Sequence, residues 1–179
     1  MRSYLVQNGT LYESCQVGTT WCIQSGILKL MRPSPRGLEL VQLALPGDIV
    51  GAETLCGEAY THTAVALQNC TLTQPDVAGD FQRFSIVAQG YLQQQQRMQD
   101  MVKLRTGTVA SRVAHMLRLF RCRADGTLTE IAREDLPTFK EMAALLDIAP
   151  ETICRELNYF LPKRSGNRHA FSQALVGVI

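Results

Sequence analysis

The chain has no uninterrupted apolar stretch approaching the roughly 18 residues that a membrane-spanning helix needs. Its opening, MRSYLVQNGT, lacks the charged-then-apolar order of a secretory signal. Both absences point to a cytoplasmic protein with no membrane partner. Histidine is scarce, at 3 residues in 179, and His62 is alone in the first half. A metal-dependent β-barrel enzyme needs two or three clustered imidazoles, so neither a metal site nor an enzymatic role is expected. The 6 cysteines (Cys15, Cys22, Cys56, Cys70, Cys122, Cys154) include no pair at C-x-x-C spacing, which removes the usual zinc and redox motifs. They read as small buried hydrophobes, with Cys154 the one whose oxidation would reach a functional surface. Acidic residues are missing from one long segment. Between Lys103 and Arg123 stand six bases (Lys103, Arg105, Arg112, Arg118, Arg121, Arg123) and no acid, whereas residues 1–106 hold eight of each sign.

What is present is an ordinary soluble composition, 46% hydrophobic and 19% charged, with room for two modest domains. Residues 1 to about 78 read as all-β, because short apolar or alternating runs are punctuated by turn residues and nothing sustains a helical period. Trp21–Gln24 is one strand, broken at Ser25-Gly26 and resumed at Ile27–Met31. Pro33–Gly37 is expected to be a loop, followed by a strand over Leu38–Leu43, so that the two strands form a hairpin. Turn residues alternate with apolar ones through Leu45–Gly51, and two later strands fall at Thr61–Leu67 and Cys70–Thr73. A compact barrel or roll closes such a set economically.

Near Asp80 the period changes. Phe84, Tyr91 and Met98 recur every seven residues, as do Val87, Gln94 and Met101 offset by three, the pattern of a helix that pairs with a second copy of itself. The expectation is a dimerising helix over about 80–106, ending at a hinge around Gly107. A second helix carries Val109, Val113, Met116, Leu117 and Phe120 on one face, then Asp125-Gly126 turns into a short strand at Leu128–Ile131.

The most informative stretch is Leu136–Phe160. Thr138 and Glu141 stand at capping-box spacing ahead of Met142, Leu145 and Leu146, so a helix starts near Phe139. A tight Asp147-Ile148-Ala149 turn follows, with Ile148 directed into the core. Pro150 suits the first position of the next helix, whose buried stripe is Ile153, Leu157 and Phe160. This is a helix-turn-helix pattern, and it leaves Glu151, Thr152, Arg155 and Asn158 outward. Arg can bond guanine O6 and N7 together and Glu can accept from cytosine N4, so this face suits a DNA major groove. Lys163, Arg164 and Arg168 cluster after it in a glycine-bearing turn suited to a wing on phosphate.

The order of parts resembles the Crp/Fnr family of bacterial transcription regulators over nearly the whole chain. The resemblance rests on Trp21–Leu30 with its Gly26 break, on Pro46-Gly47-Asp48-Ile49-Val50-Gly51, on Ser111–Leu117, and on Ala149–Leu157 with its E-T-hydrophobic-x-R core. It implies an α+β fold: an N-terminal cyclic-nucleotide-binding-like β-roll (jelly-roll-like) with a dimerisation helix in 1–106, and a C-terminal winged helix-turn-helix in 107–179. It also implies a homodimer that binds an inverted-repeat operator in double-stranded DNA and recruits or blocks RNA polymerase. The DNA-binding residues are then Thr138, Pro150, Glu151, Thr152, Arg155, Asn158, Lys163, Arg164 and Arg168, and the dimer interface is Phe84, Val87, Tyr91, Gln94, Met98 and Met101. The family's effector pocket falls on Gly51, Ala52, Glu53, Thr61, His62 and Arg97. Its cyclic-AMP cassette is not retained: Gly51-Ala52 and Thr61-His62-Thr63 stand where Gly-Glu and Arg-Ser are needed, and an anionic phosphate would lose its guanidinium partner. No cofactor is therefore expected, and the effector is unknown. Cysteine clusters for iron–sulfur and a specific axial ligand for haem are not found. An alternative reading makes the helix-turn-helix a protein-interaction module on a sigma factor or other partner.

Overall fold

The protein is described over residues 1–161 of a computed structural model. Lys163, Arg164, Arg168 and the expected wing lie outside the described residues. The chain divides into two compact units, one of Met1–Met101 with Cys122–Thr129, the other of Val102–Arg121 with the residues from Glu130 on. The hairpin around Asp125-Gly126 thus groups with the first unit and not with the helices that flank it in sequence.

Eight strands build the first unit: β1 (Arg2–Leu5), β2 (Thr10–Tyr12), β3 (Trp21–Ser25), β4 (Leu28–Ser34), β5 (Gly37–Ala44), β6 (Ile49–Val50), β7 (Thr63–Ala66) and β8 (Cys70–Thr73). They form two four-stranded antiparallel sheets, ordered β1-β8-β3-β6 and β2-β7-β4-β5. Alternation along the strands sends Ile23, Leu28, Leu30, Val50, Ala64, Ala66 and Leu72 into one shared core, closed by Tyr12, Tyr60 and Cys70. Burial pushes the Cys70 thiol up to about 11, which keeps it an inert thiol.

Gly26 separates β3 from β4 for a steric reason. Its φ is +83°, and a Cβ there would lie 2.3 Å from the carbonyl oxygen of Asn69 and 2.7 Å from the Cys70 sulfur. The expected Pro33–Gly37 loop is in fact mostly strand. Pro33 pairs with Leu38 and Ser34 with Gly37, leaving Pro35-Arg36 as the turn. Proline is tolerated because β7 pairs with β4 only as far as Met31, so Pro33 lies beyond that ladder. The strand expected at Leu128–Ile131 is reduced to a single bridge between Cys122 and Leu128. The first two strands, with no clean alternation in sequence, are added through pairing with β8 and β7.

Helix α1 (Asp80–Arg105) follows the sheets, then α2 (Val109–Phe120), α3 (Phe139–Leu146) and α4 (Pro150–Phe160). Gly107, at φ +84°, ends the long helix, and Thr108 starts the next by accepting from the Ser111 N–H at 3.2 Å. In the second unit α4 packs on both α2 and α3. Val113, Met116, Leu117, Met142, Leu146, Ile153 and Leu157 are buried there, each apolar side chain contributing about 1.5–3 kcal/mol.

Candidate nucleic-acid interface

Helix α3 begins with a complete capping box. The Thr138 hydroxyl oxygen accepts from the Glu141 N–H at 3.2 Å, while the Glu141 carboxylate accepts from the Thr138 N–H at 3.2 Å. The helix stops at Asp147, whose φ of +52° is the left-handed conformation that Asp adopts more readily than most residues. Arg112 of α2 donates to the Leu146 carbonyl at 3.0 Å, setting a cation on the carboxyl end of α3. One of the six bases counted in the acid-free segment is therefore a structural cap and not a free phosphate contact.

Ala149 is extended, and Pro150 takes the first turn of α4 as expected. Ile153 and Leu157 are fully buried; Ile148 and Phe160 are half-buried, so they seal the edges of the packing. The opposite face exposes Pro150, Glu151, Arg155 and Asn158, with Thr152 half-buried. No ion pair joins Glu151 and Arg155 among the described residues. Asn158 behaves differently from the expectation, because its Oδ1 accepts from Arg133 at 2.9 Å. Thr138 likewise has its hydroxyl in the capping box, so any contact it makes beyond the chain must fit around that bond. Cys154 is half-buried on α4.

Helix α1 has two faces. Gln93 accepts from the Ile49 N–H at 3.0 Å and donates to the Gly47 carbonyl at 2.9 Å, and Arg97, Asp100 and Met101 continue the same buried side. Phe81, Phe84, Tyr91, Leu92 and Met98 are each more than half exposed on the other side. Among the residues expected on the pairing stripe, Met101 is thus a correction: it is buried within its own chain. The physical reason is helical drift, since an α-helix turns about 20° per heptad away from a strict seven-residue repeat. Val87 is half-buried and Gln94 exposed, so the exposed apolar row runs through Phe81, Phe84, Tyr91 and Met98 and not through Val87 and Met101.

Residues 4–78 match the family model described as the cyclic nucleotide-binding domain. A curated relative, the transcriptional regulator LdrP of Thermus thermophilus, is 31% identical over 102 residues, which is 55% of this chain and 52% of that protein. The match therefore spans about half the length of that relative. Among solved structures, a CRP-family transcriptional regulator, also from Thermus thermophilus, is 26% identical, with a TM-score of 0.65 and coverage of 88% of this chain and 83% of that one. The chain is similar to CRP/FNR-family transcriptional regulators. FixK2 from Bradyrhizobium japonicum, 18% identical with a TM-score of 0.65, covers 94% of this chain and 89% of its own and shares the fold. LdrP and the 26% identical Thermus protein are transcriptional regulators.

Of the six residues assigned to an effector pocket, Glu53, Thr61 and His62 are hydrogen-bonded together, whereas Arg97 is engaged elsewhere. Gly51 (φ +73°) backs onto Tyr60, and a Cβ there would come within 2.7 Å of the ring. That ring is stacked on Tyr12, centroids 3.8 Å apart at 11°, and its hydroxyl donates to the Thr19 carbonyl at 2.7 Å. Burial raises the Tyr12 hydroxyl well above the ordinary phenol range, with Glu53 and Tyr60 adding to it. Ala52 sits against Gly90 of α1, where an added Cβ would lie 3.3 Å from its own. Glu53, Thr61 and His62 do come together. The Glu53 carboxylate accepts from the Thr61 N–H at 3.0 Å and its hydroxyl at 3.2 Å, and that hydroxyl lies 2.9 Å from His62 Nδ1. Burial holds His62 below its ordinary value near 6.5, Glu53 opposing and Arg32 adding to the shift.

Arg97 is the second correction. Its Nε donates to Asp48 Oδ2 at 2.7 Å, its Nη2 to Asp48 Oδ1 at 3.3 Å, and its Nη1 to Asp100. A guanidinium held by two nearly buried carboxylates is not available to a small effector, because leaving them would strand both charges. Asp48 also accepts from the Leu45 N–H at 2.8 Å, yet burial raises its carboxyl above the usual range against the opposing pull of Arg97. The Pro46-Gly47-Asp48 turn thus serves as an anchor for α1. Sequence reading found that turn but not its partner Gln93, assigned Arg97 to an effector, counted Arg112 only as one base of the acid-free run, and did not single out Arg133. Only the cation placement in folded space distinguishes these arginines from the solvent-facing ones.

Proposed function

We propose that this protein is a transcriptional regulator of the CRP/FNR type that binds an inverted-repeat operator in double-stranded DNA as a homodimer, without cyclic AMP, and thereby recruits or blocks RNA polymerase. The observation that carries the reading is the face of α4: Glu151 and Arg155 stand exposed one turn apart while Ile153 and Leu157, on the opposite side, are buried. A helix anchored on one side and presenting a carboxylate and a guanidinium on the other is equipped to read adjacent base pairs. Thr152 and Pro150 flank the pair at the amino end, and Lys163, Arg164 and Arg168 supply charge for phosphate. In this reading 107–179 is a winged helix-turn-helix and 1–106 a β-roll with its dimerising helix.

The exposed row Phe81, Phe84, Tyr91 and Met98 supports a dimer, because an apolar stripe of that length on a single helix favours cover by a second copy. Independence from cyclic AMP is supported by the engagement of Arg97 with Asp48 and Asp100 and by the Tyr12–Tyr60 stack beneath Gly51. At the surface, Glu53 adds a carboxylate where an anionic phosphate would need a cation.

Selection of bound sequences from random duplex DNA with no added ligand tests the reading. The expected product is an inverted repeat whose half-sites lie near one helical turn, about 34–36 Å, apart. Binding must weaken steeply as salt rises, since phosphate contacts release counterions. A monomer in solution that enriches no sequence would overturn the proposal, and salt-insensitive capture of a sigma factor would favour the protein-interaction alternative.

A further inference from the structure

Arg133 lies in a short 3-10 turn, Arg133–Asp135, ahead of α3. Its Nη1 donates to Asn158 Oδ1 at 2.9 Å and to the Leu161 carbonyl at 3.1 Å. Its guanidinium carbon also stands 5.9 Å from the centroid of the Phe139 ring. Asn158 is in the last turn of α4, Leu161 is the residue that ends it, and Phe139 is the first residue of α3. A single cation therefore joins the entrance of one helix to the exit of the other, at the carboxyl end where the helix dipole favours positive charge. Beside this junction Arg133, Leu136, Pro137, Thr138, Phe139 and Met142 line an open hollow, and the polar bridge spans its edge among the described residues. None of the three groups held by Arg133 belongs to the buried set of Met142, Leu146, Ile153 and Leu157.

We infer that Arg133 is a positioning residue for DNA reading, setting the direction in which α4 is presented, and that Asn158 serves Arg133 and not a base. The inference rests on the proposed DNA function and narrows its reading set to Glu151, Thr152 and Arg155. Arg suits the place better than Lys because its Nη1 reaches both acceptors while the flat guanidinium stands over the Phe139 ring, which a compact ammonium would not cover in the same way.

The test uses the full chain with Arg133→Ala, Arg133→Lys, Asn158→Ala, Asn158→Asp and the Arg133→Ala/Asn158→Ala pair. Affinity for a selected and a scrambled duplex is measured by fluorescence anisotropy, beside thermal unfolding. Arg133→Ala should weaken the selected duplex about tenfold, within the range of one lost base contact, while scrambled binding and melting temperature stay near wild type. Asn158→Ala should do the same, the pair should be no worse than either single change, and Asn158→Asp should keep binding because a carboxylate still accepts. Arg133→Lys should rescue little. The inference is overturned if Asn158→Ala changes preference at one base pair while Arg133→Ala is neutral. It is equally overturned if Arg133→Ala lowers both duplexes and the melting temperature together. If the wild type prefers no duplex, the DNA reading itself has failed. Residual dipolar couplings then decide the positioning role: α4 reoriented against α3 in Arg133→Ala supports it, and an unchanged orientation ends it.

Discussion

In the first unit the contacts that build the structure join residues far apart in the chain: Arg2 pairs with Thr73, Leu28 with Ala66, and Arg97 of α1 reaches back to Asp48. In the second unit the decisive local contacts span three or four residues, as in the Thr138–Glu141 box and the turn at Asp147. The difference has an energetic counterpart. The first unit carries a buried charge cluster whose members depend on one another, whereas the helix pair is held by apolar packing, caps and a few cations at helix ends. Damage to the former should be severe and damage to the latter graded, and this contrast can be tested.

Removing one member of the cluster should have the largest effect. Arg97→Met leaves Asp48, with its side chain 6% exposed, without its cation, and the expected destabilisation is about 3–5 kcal/mol, read by denaturant unfolding. If the cost stays below about 1 kcal/mol, the contact belongs with ordinary surface pairs. Next comes the outer face of α4. Arg155→Ala should cost about 1–3 kcal/mol of binding to the selected duplex and relax preference at one base pair, with unfolding unchanged. An equal loss on every sequence would assign Arg155 to phosphate.

Thr138→Ala tests the capping box and should cost about 1 kcal/mol in the second unit, seen as faster amide exchange in the first turn of α3. The smallest effect concerns His62. Its folded-state pKa lies below 6.5, so the folded protein binds that proton more weakly than the unfolded chain. Its contribution is present above about pH 6.5 and is lost as pH falls through the window beneath it. His62→Gln should flatten the difference in melting temperature between about pH 7 and about pH 5.5, and an unchanged slope would remove the residue from that balance.

Legibility followed the same division. The α3–α4 segment was readable to the residue because capping, the left-handed Asp147 and the spacing of Ile153 and Leu157 are local chemistry. So were the Gly26 break and the strands around it. The first two strands were not readable, since three- and four-residue runs acquire their pattern only when β8 and β7 lie alongside them. Met101 and Arg97 were misassigned for a related reason: a heptad count or a motif alignment gives a position along the helix but not which neighbours fill the space around it.

By itself the sequence determined the β-then-helical order of the chain, the limits of its helices and the polar set on the outer side of α4, because each follows from periodicity or from bonds within a single turn. Tertiary structure alone decided which arginines are free. Arg97, Arg112 and Arg133 look in sequence like any other base, but each meets a carboxylate, a helix carbonyl or an amide brought from at least 25 residues away. A long flexible cation takes an acceptor within its reach, and which acceptor that is depends on how the chain folds.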